Sequence, residues 1–212
     1  MGVSRINTLT IPLTKNTLQI SDRNIRQATI ETTVNLNAPS HFEASGLGPM
    51  SDYTAHWFIW SALTRSGFQH PGRSADIRIR IRPELTFPAY TYLTLPLALG
   101  FLMATDQLSW GHLLKECFVV GNLHDDGQAL PLPKLYMFQQ YAHTTTGLSA
   151  LVAPIPEDNE QDKLRITPVL RNQQAVFRSL KRVNELEPQI LRARQYRKNH
   201  NLLDPLEKQQ EG

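Results

Sequence analysis

Apolar and polar positions first alternate regularly over Ala28–Asn37, where Ile30, Thr32, Val34 and Leu36 recur every second residue. That period is a strand's. Asp76–Arg82 repeats it strictly, with Ile77, Ile79 and Ile81 on one face and Arg78, Arg80 and Arg82 on the other. Between these strands, Ser51 or Asp52 caps a helix that reaches Ser66 and is ended by Gly67. Its inward stripe is Ala55, Phe58, Ile59, Ala62 and Leu63. Tyr53, Trp57, Trp60 and Thr64 recur at helical spacing on the opposite side, an aromatic face that either the chain's own ends or a partner must cover.

The second half of the chain opens with Pro96 in the first turn of a helix to about Asp106. This helix is apolar almost all round and is therefore expected to be buried. Phe118–Asn122 and Ala129–Leu132 read as strands joined by an Asp125-Asp126-Gly127 turn. Leu135–Thr144 reads as a helix and Ser149–Ala153 as a short buried strand, followed by an acidic surface turn at Glu157–Asp162. Arg171–Glu187 is expected to be an amphipathic helix, with Val176, Leu180, Val183 and Leu186 inward, stopped by Pro188. Ile190–His200 then forms a basic helix, and disorder is expected from about Leu203. Residues 1–24 are polar with scattered apolar positions and read as an edge hairpin or a loose arm. The chain thus divides into an arm (1–24), a domain (25–187) and a basic C-terminal extension (188–212).

Composition narrows the class. The 212 residues are 41% apolar and 19% charged, an ordinary balance for one globular domain with an appendage. Cys117 is the single cysteine, so no intrachain disulfide can form, and it reads as a small core residue. The apolar run at Leu95–Ala104 falls well short of the roughly 20 residues a bilayer span needs. With no apolar run behind Met1–Ile6, a cytoplasmic location with no membrane contact is the expectation. The net charge of +3 is uneven. Arg165–Lys198 holds nine Lys/Arg against two acids, a surplus of seven that leaves the remainder at −4. A basic segment on a mildly acidic body points to a polyanionic or acidic partner, the alternative being a solvated helix face.

The phrase Leu93-Thr94-Leu95-Pro96-Leu97-Ala98-Leu99-Gly100-Phe101-Leu102-Met103-Ala104 and the later Val120-Gly121-Asn122-Leu123-His124-Asp125-Asp126-Gly127-Gln128-Ala129-Leu130-Pro131 carry a family resemblance. Ala62-Leu63-Thr64-Arg65-Ser66-Gly67-Phe68 and Leu151-Val152-Ala153-Pro154 extend it over about residues 28–185. In order and spacing they resemble the Lon-protease-like module at the N-terminus of magnesium-chelatase-like competence helicases of the ComM type. A related module ends the RadA recombination proteins. The resemblance implies an α+β fold of the ribosomal S5 domain 2 type: a mixed sheet with helices packed on it, plus a C-terminal helical extension. It also implies a role in DNA uptake, recombination or related DNA processing.

Proteolytic members of that family use a serine nucleophile and a desolvated lysine base, and the matching slots here hold Thr94 and Tyr136. Lys134 lies two positions before the lysine slot, turned away by about 200° if both sit on one helix. Thr94 reads instead as a helix N-cap. Peptidase chemistry through Thr94 and Lys134 is the third reading. No G-x-x-x-x-G-K-[ST] phrase occurs, so no P-loop ATPase is encoded in these residues. The seven histidines show no metal-ligand spacing, and His124-Asp125-Asp126 reads as a solvated turn; neither metal nor cofactor is expected.

The leading expectation is a non-enzymatic module that contacts DNA or RNA phosphates without reading bases. The residues assigned to this are Arg78, Arg80 and Arg82 on the strand, Arg178, Lys181 and Arg182 before Pro188, and Arg192, Arg194, Arg197 and Lys198 after it. The second expectation is an assembly scaffold using Tyr53, Trp57 and Trp60 to dock on a separate AAA+ ATPase or on a second copy.

Overall fold

The computed structural model of the chain describes residues 1–11, 25–47, 52–69, 74–84, 92–132, 134–144, 150–154, 174–175 and 179–199. Arg178, the acidic turn at 157–162 and the tail from Leu203 lie outside these residues. Nine strands occur among them: β1 (Gly2–Thr10), β2 (Arg26–Leu36), β3 (His41–Ser45), β4 (Ala75–Arg82), β5 (Cys117–Val119), β6 (Asn122–Leu123), β7 (Ala129–Leu130), β8 (Ala150–Val152) and β9 (Gln174–Ala175). The helices are α1 (Asp52–Arg65), α2 (Thr94–Ala104), α3 (Leu135–Thr144) and α4 (Leu186–Asn199). Two 3-10 helices lie at Gly111–Glu116 and Leu180–Glu185.

Seven strands form one mixed sheet in the order β3-β4-β2-β1-β5-β8-β9, and β6 and β7 make a separate hairpin. Strand β2 is antiparallel to both its neighbours, whereas every other pairing in the main sheet is parallel. The molecule is therefore an α+β mixed sheet in which a single strand runs against the rest.

Alternation along the strands gives the sheet two faces. On one, Ile6, Ile30, Val34, Ile77, Ile79 and Val119 join the principal core. Covering them are Ala55, Ile59, Ala62 and Leu63 of α1, nearly all of α2, Trp110 and Leu114 beside the first 3-10 helix, and Leu186, Ile190 and Ala193 of α4. On the other face, Leu9, Phe118, Val120 and Leu151 pack under Leu135 and Phe138 of α3. That helix covers the β5–β8 side only. Across β3, β4, β2 and the first half of β1 the same face is polar and bears no described helix.

Helix α2 is buried at ten of its eleven positions. Its entry satisfies the orphan amides of a helix start: Leu95 N–H donates to the Gly121 carbonyl at 3.2 Å, Leu97 N–H to Leu93 at 3.0 Å, and Pro96 has no N–H to satisfy. Helix α1 ends as its sequence predicts. Phe68 N–H bonds the Leu63 carbonyl at 3.0 Å and Gly67 N–H bonds Thr64 at 3.1 Å, with Gly67 at φ 86°. This is a Schellman motif, whose left-handed residue is tolerated best when it is glycine.

Two expectations are corrected. Gly2–Thr10 is not an arm on the edge of the sheet; β1 is an interior strand between β2 and β5. Its core face reads as polar because Ser4, Thr8 and Thr10 occupy it, yet all three are buried and Ser4 Oγ donates to the Gly100 carbonyl at 2.6 Å. Pro188 does not stop a helix either. Among its described residues the preceding segment holds strand β9 and a 3-10 helix, and Pro188 sits in the first turn of α4, where its missing N–H breaks no helical bond. The C-terminal helix consequently belongs to the main core through its apolar side, beginning before the expected boundary at 188.

Candidate functional site

The arginine side of β4 is exposed and no described helix covers it. On β4 the isoleucines are buried while Arg78, Arg80 and Arg82 are exposed. Register brings neighbouring side chains of the same face into rows. Arg78 lies between Glu43 and Thr33, Arg80 between Ser45 and Glu31, and Arg82 beside Thr29. Strand β1 continues the rows, placing Arg5 beside Glu31 and Asn7 beside Thr29.

The charges on this face are not equivalent. Arg78 is bound on its own strand, with Nη2 at 3.1 Å and Nε at 3.2 Å from the two Asp76 carboxylate oxygens. That hydrogen-bonded pairing with Asp76 raises the Arg78 pKa further above its ordinary value. Arg5 reaches Glu31 at 3.6 Å. Arg80 and Arg82 form no ion pair with any described residue. A groove of about 760 Å³ runs over β1 and β2, with Arg5, Asn7, Thr29 and Glu31 along it and Arg82 and Lys115 at its rims. A smaller hollow of about 230 Å³ lies between Glu31, Thr33, Arg78 and Arg80.

The basic C-terminal residues do not join this face. Helix α4 packs against the opposite side of the sheet, near β8 and β9. Five strand spacings, roughly 24 Å, separate β9 from β4. Arg182 pairs with Glu185 at 2.8 Å and Arg194 with Glu116 at 3.1 Å. Arg197 is only 5% exposed and belongs to the packing of α4. Lys181, Arg192 and Lys198 remain exposed. The nine described members of the basic set therefore split into two groups on opposite faces, because charge count along a chain carries no information about which layer a segment joins.

Thr94 is the first residue of α2 rather than its N-cap, which is Leu93. Its hydroxyl donates to Asn122 Oδ1 at 3.0 Å and accepts from the Leu123 N–H at 2.7 Å. The group ties the start of α2 to strand β6. Lys134 precedes α3, at φ 55°, so the helical rotation expected between it and position 136 does not apply. Its side chain is exposed, without the desolvation a lysine base requires. Tyr136 packs against the second core cluster.

No protein-family model matches this sequence, and no curated protein is similar enough to count as a relative.

The aromatic side of α1 is only partly available. Tyr53 is 78% exposed and Trp57 47% exposed, with Trp57 edge-on to Phe58 at 5.2 Å. Trp60 does not belong with them. It is packed against the core, with its ring perpendicular to Phe101 at 4.7 Å. His56 stacks on Phe42 of β3 at 4.5 Å, so α1 is clasped from that side by the edge strand. Phe58, expected in the inward stripe, is only half-buried.

The acidic turn between β6 and β7 is a built hairpin. Asp126 Oδ1 accepts the Gln128 N–H at 2.8 Å, and His124 Nδ1 lies 2.9 Å from Asp125 and 3.1 Å from Asp126. Arg65, at the end of α1, reaches Asp125 at 3.1 Å. Cys117 is fully buried and burial drives its thiol pKa upward, which keeps it unreactive.

Arg5, Asn7, Glu31 and Lys115 were not among the expected site residues. A signal existed for Glu31, which sits out of phase with Ile30 and Thr32 and so shares a face with whatever polar strand pairs with β2. Arg5 and Lys115 had none, since the pairing of β1 with β2 and β5 is long-range.

Proposed function

We propose that this chain is a non-proteolytic Lon-like, S5 domain 2-like module that binds nucleic acid or a nucleoprotein complex through phosphate contacts. In this reading it acts in DNA uptake, recombination or related processing without an ATPase of its own. The supporting observation is the sheet face that no described helix covers, where Arg80 and Arg82 have no carboxylate partner among the described residues, Arg82 at one rim of the larger groove with Lys115 at the other and Arg80 in the smaller hollow. The order of the sequence phrases supports the family side of the proposal. Contacts of this type position a polyanion and read no bases, so affinity falls steeply with salt.

The test is a gel-shift series with DNA and RNA from about 50 to 200 mM salt. Arg80→Ala and Arg82→Ala should each lower affinity and flatten the salt slope by about one ion, as expected when one phosphate contact is removed. Arg192→Ala and Lys198→Ala, on the opposite face, should change little. Absence of DNA or RNA binding at the lowest salt overturns the proposal.

A second reading, docking on a separate AAA+ ATPase or on a second copy, is favoured by one observation: Tyr53 and Trp57 lie exposed one helical turn apart. Trp60 takes no part in it.

A further inference from the structure

We propose that the groove over β1 and β2 is a subsite for a phosphate monoester or diphosphate, either the terminal phosphate of a nucleic acid or a free phosphorylated molecule. The inference rests on the nucleic-acid reading for the first source and is independent of it for the second.

The groove is not uniformly basic, and its mosaic sets what it can take. Glu31 stands in the middle row, in register with Arg80 on one side and Arg5 on the other. A continuous polyanion laid along Arg78, Arg80 and Arg82 passes this carboxylate, which opposes it. The adjacent row, Arg82–Thr29–Asn7, contains no acid. Lys115 closes that row from the far side. The Asn7 side-chain amide donates to the Lys115 carbonyl at 3.1 Å, fixing the end of the 3-10 helix to β1 and holding Lys115 across the groove from Arg82. Neither Arg82 nor Lys115 has a carboxylate partner among the described residues.

Two cations are therefore held apart over a floor of hydroxyl and amide groups. The span from β4 to the start of β5, which Lys115 precedes, is three strand spacings, about 14 Å, which two long side chains close around one compact anion. A phosphate monoester carries a charge of about −1.5 to −2 at neutral pH and offers three acceptor oxygens, which suit one guanidinium fork and one ammonium. An internal phosphodiester offers a single charge. The groove volume of about 760 Å³ lies within the range of small-molecule sites. Among the described residues no aromatic side chain lines it, so bases find no stacking partner there and recognition falls to the phosphoryl group.

The experiment has two arms on the full chain. In the first, pyrophosphate is titrated against the protein by calorimetry. Binding is expected, weakened at least tenfold by Arg82→Ala and by Lys115→Ala, weakened less by Arg82→Lys, unchanged by Arg78→Ala and tightened by Glu31→Gln. The Lys variant keeps the charge and loses the fork, so it separates recognition from misfolding. In the second arm, one oligonucleotide is compared with and without a 5′-phosphate by fluorescence anisotropy. A preference for the phosphorylated end that disappears in Arg82→Ala assigns the site to nucleic-acid termini. Pyrophosphate binding with no oligonucleotide binding supports the subsite as one for free phosphorylated molecules and removes the nucleic-acid reading. Oligonucleotide binding indifferent to the 5′-phosphate, with no pyrophosphate binding, overturns the subsite and leaves that reading standing. Pyrophosphate binding insensitive to Arg82 and Lys115 also overturns it.

Discussion

Thr94 shows how a residue suited to one chemistry serves another. Both functions of its hydroxyl are already engaged, one as donor to Asn122 and one as acceptor from Leu123. Thr94→Val keeps the shape and removes both bonds, leaving the buried Leu123 N–H unsatisfied. The expected cost is about 1–3 kcal/mol in urea unfolding, with most of it restored in Thr94→Ser. A variant as stable as wild type contradicts this role. Arg78 makes a parallel point. It looks identical to Arg80 and Arg82 in the sequence, yet Asp76 at two-residue spacing on the same strand neutralises it. The strand period predicts that Asp76 and Arg78 share a face, so this pairing was legible; the freedom of Arg80 and Arg82 was not, because it depends on which carboxylates the neighbouring strands bring.

At the scale of elements, the β6–β7 hairpin is the clearest local structure with a measurable signature. The Gln128 N–H hydrogen bond, followed by His124 and Arg65, holds the Asp126 carboxyl below its ordinary value of 3.8. The sign follows from linkage. A carboxyl whose folded pKa is depressed stabilises the native state fully above the unfolded pKa, and that contribution fades as pH falls through the folded value. The turn should therefore loosen only below about pH 4. Protection of the Gln128 amide from exchange, followed over pH 2–5, should drop through this window in wild type and be low and flat in Asp126→Ala, which has no side-chain acceptor. A wild-type profile unchanged across that range contradicts the assignment. Gly127, at φ 87°, completes the turn; a Cβ there would lie 3.2 Å from the Ala62 carbonyl, so the turn is also seated against α1. The turn itself was readable from Asp125-Asp126-Gly127. Its seat on α1 through Arg65 was not, since sixty residues separate the partners.

For the whole molecule, the sheet sorts the surface by face. Among the described residues, one face is closed by α1, α2 and α4, and the other is half closed by α3, with no described element over the arginine field. The aromatic corner formed by Tyr53 and Trp57 belongs to the outer side of α1, on the closed face. The two proposed roles, assembly and anion binding, are therefore separable by mutation. Sedimentation of wild type against Tyr53→Ala/Trp57→Ala tests the assembly reading: a self-associating wild type and a monomeric variant support the second-copy form. If both are monomers, that form is removed. In either case the anion affinity of the variant should match wild type.

The sequence by itself determined the elements whose signals are local. The isoleucine–arginine strand follows from period two, the buried α2 from its unbroken apolar run behind Pro96, the end of α1 from Gly67, and the hairpin from its acidic glycine turn. It also settled the absence of a P-loop phrase. Only the tertiary structure decided that β1 is an interior strand, that Pro188 lies in the first turn of a helix, and that the described basic residues fall on two opposite faces. The reason is physical. Local periodicity records how a segment divides its own inside from its outside, whereas strand order, sheet face and ion-pair partners are set by contacts between residues far apart in the chain.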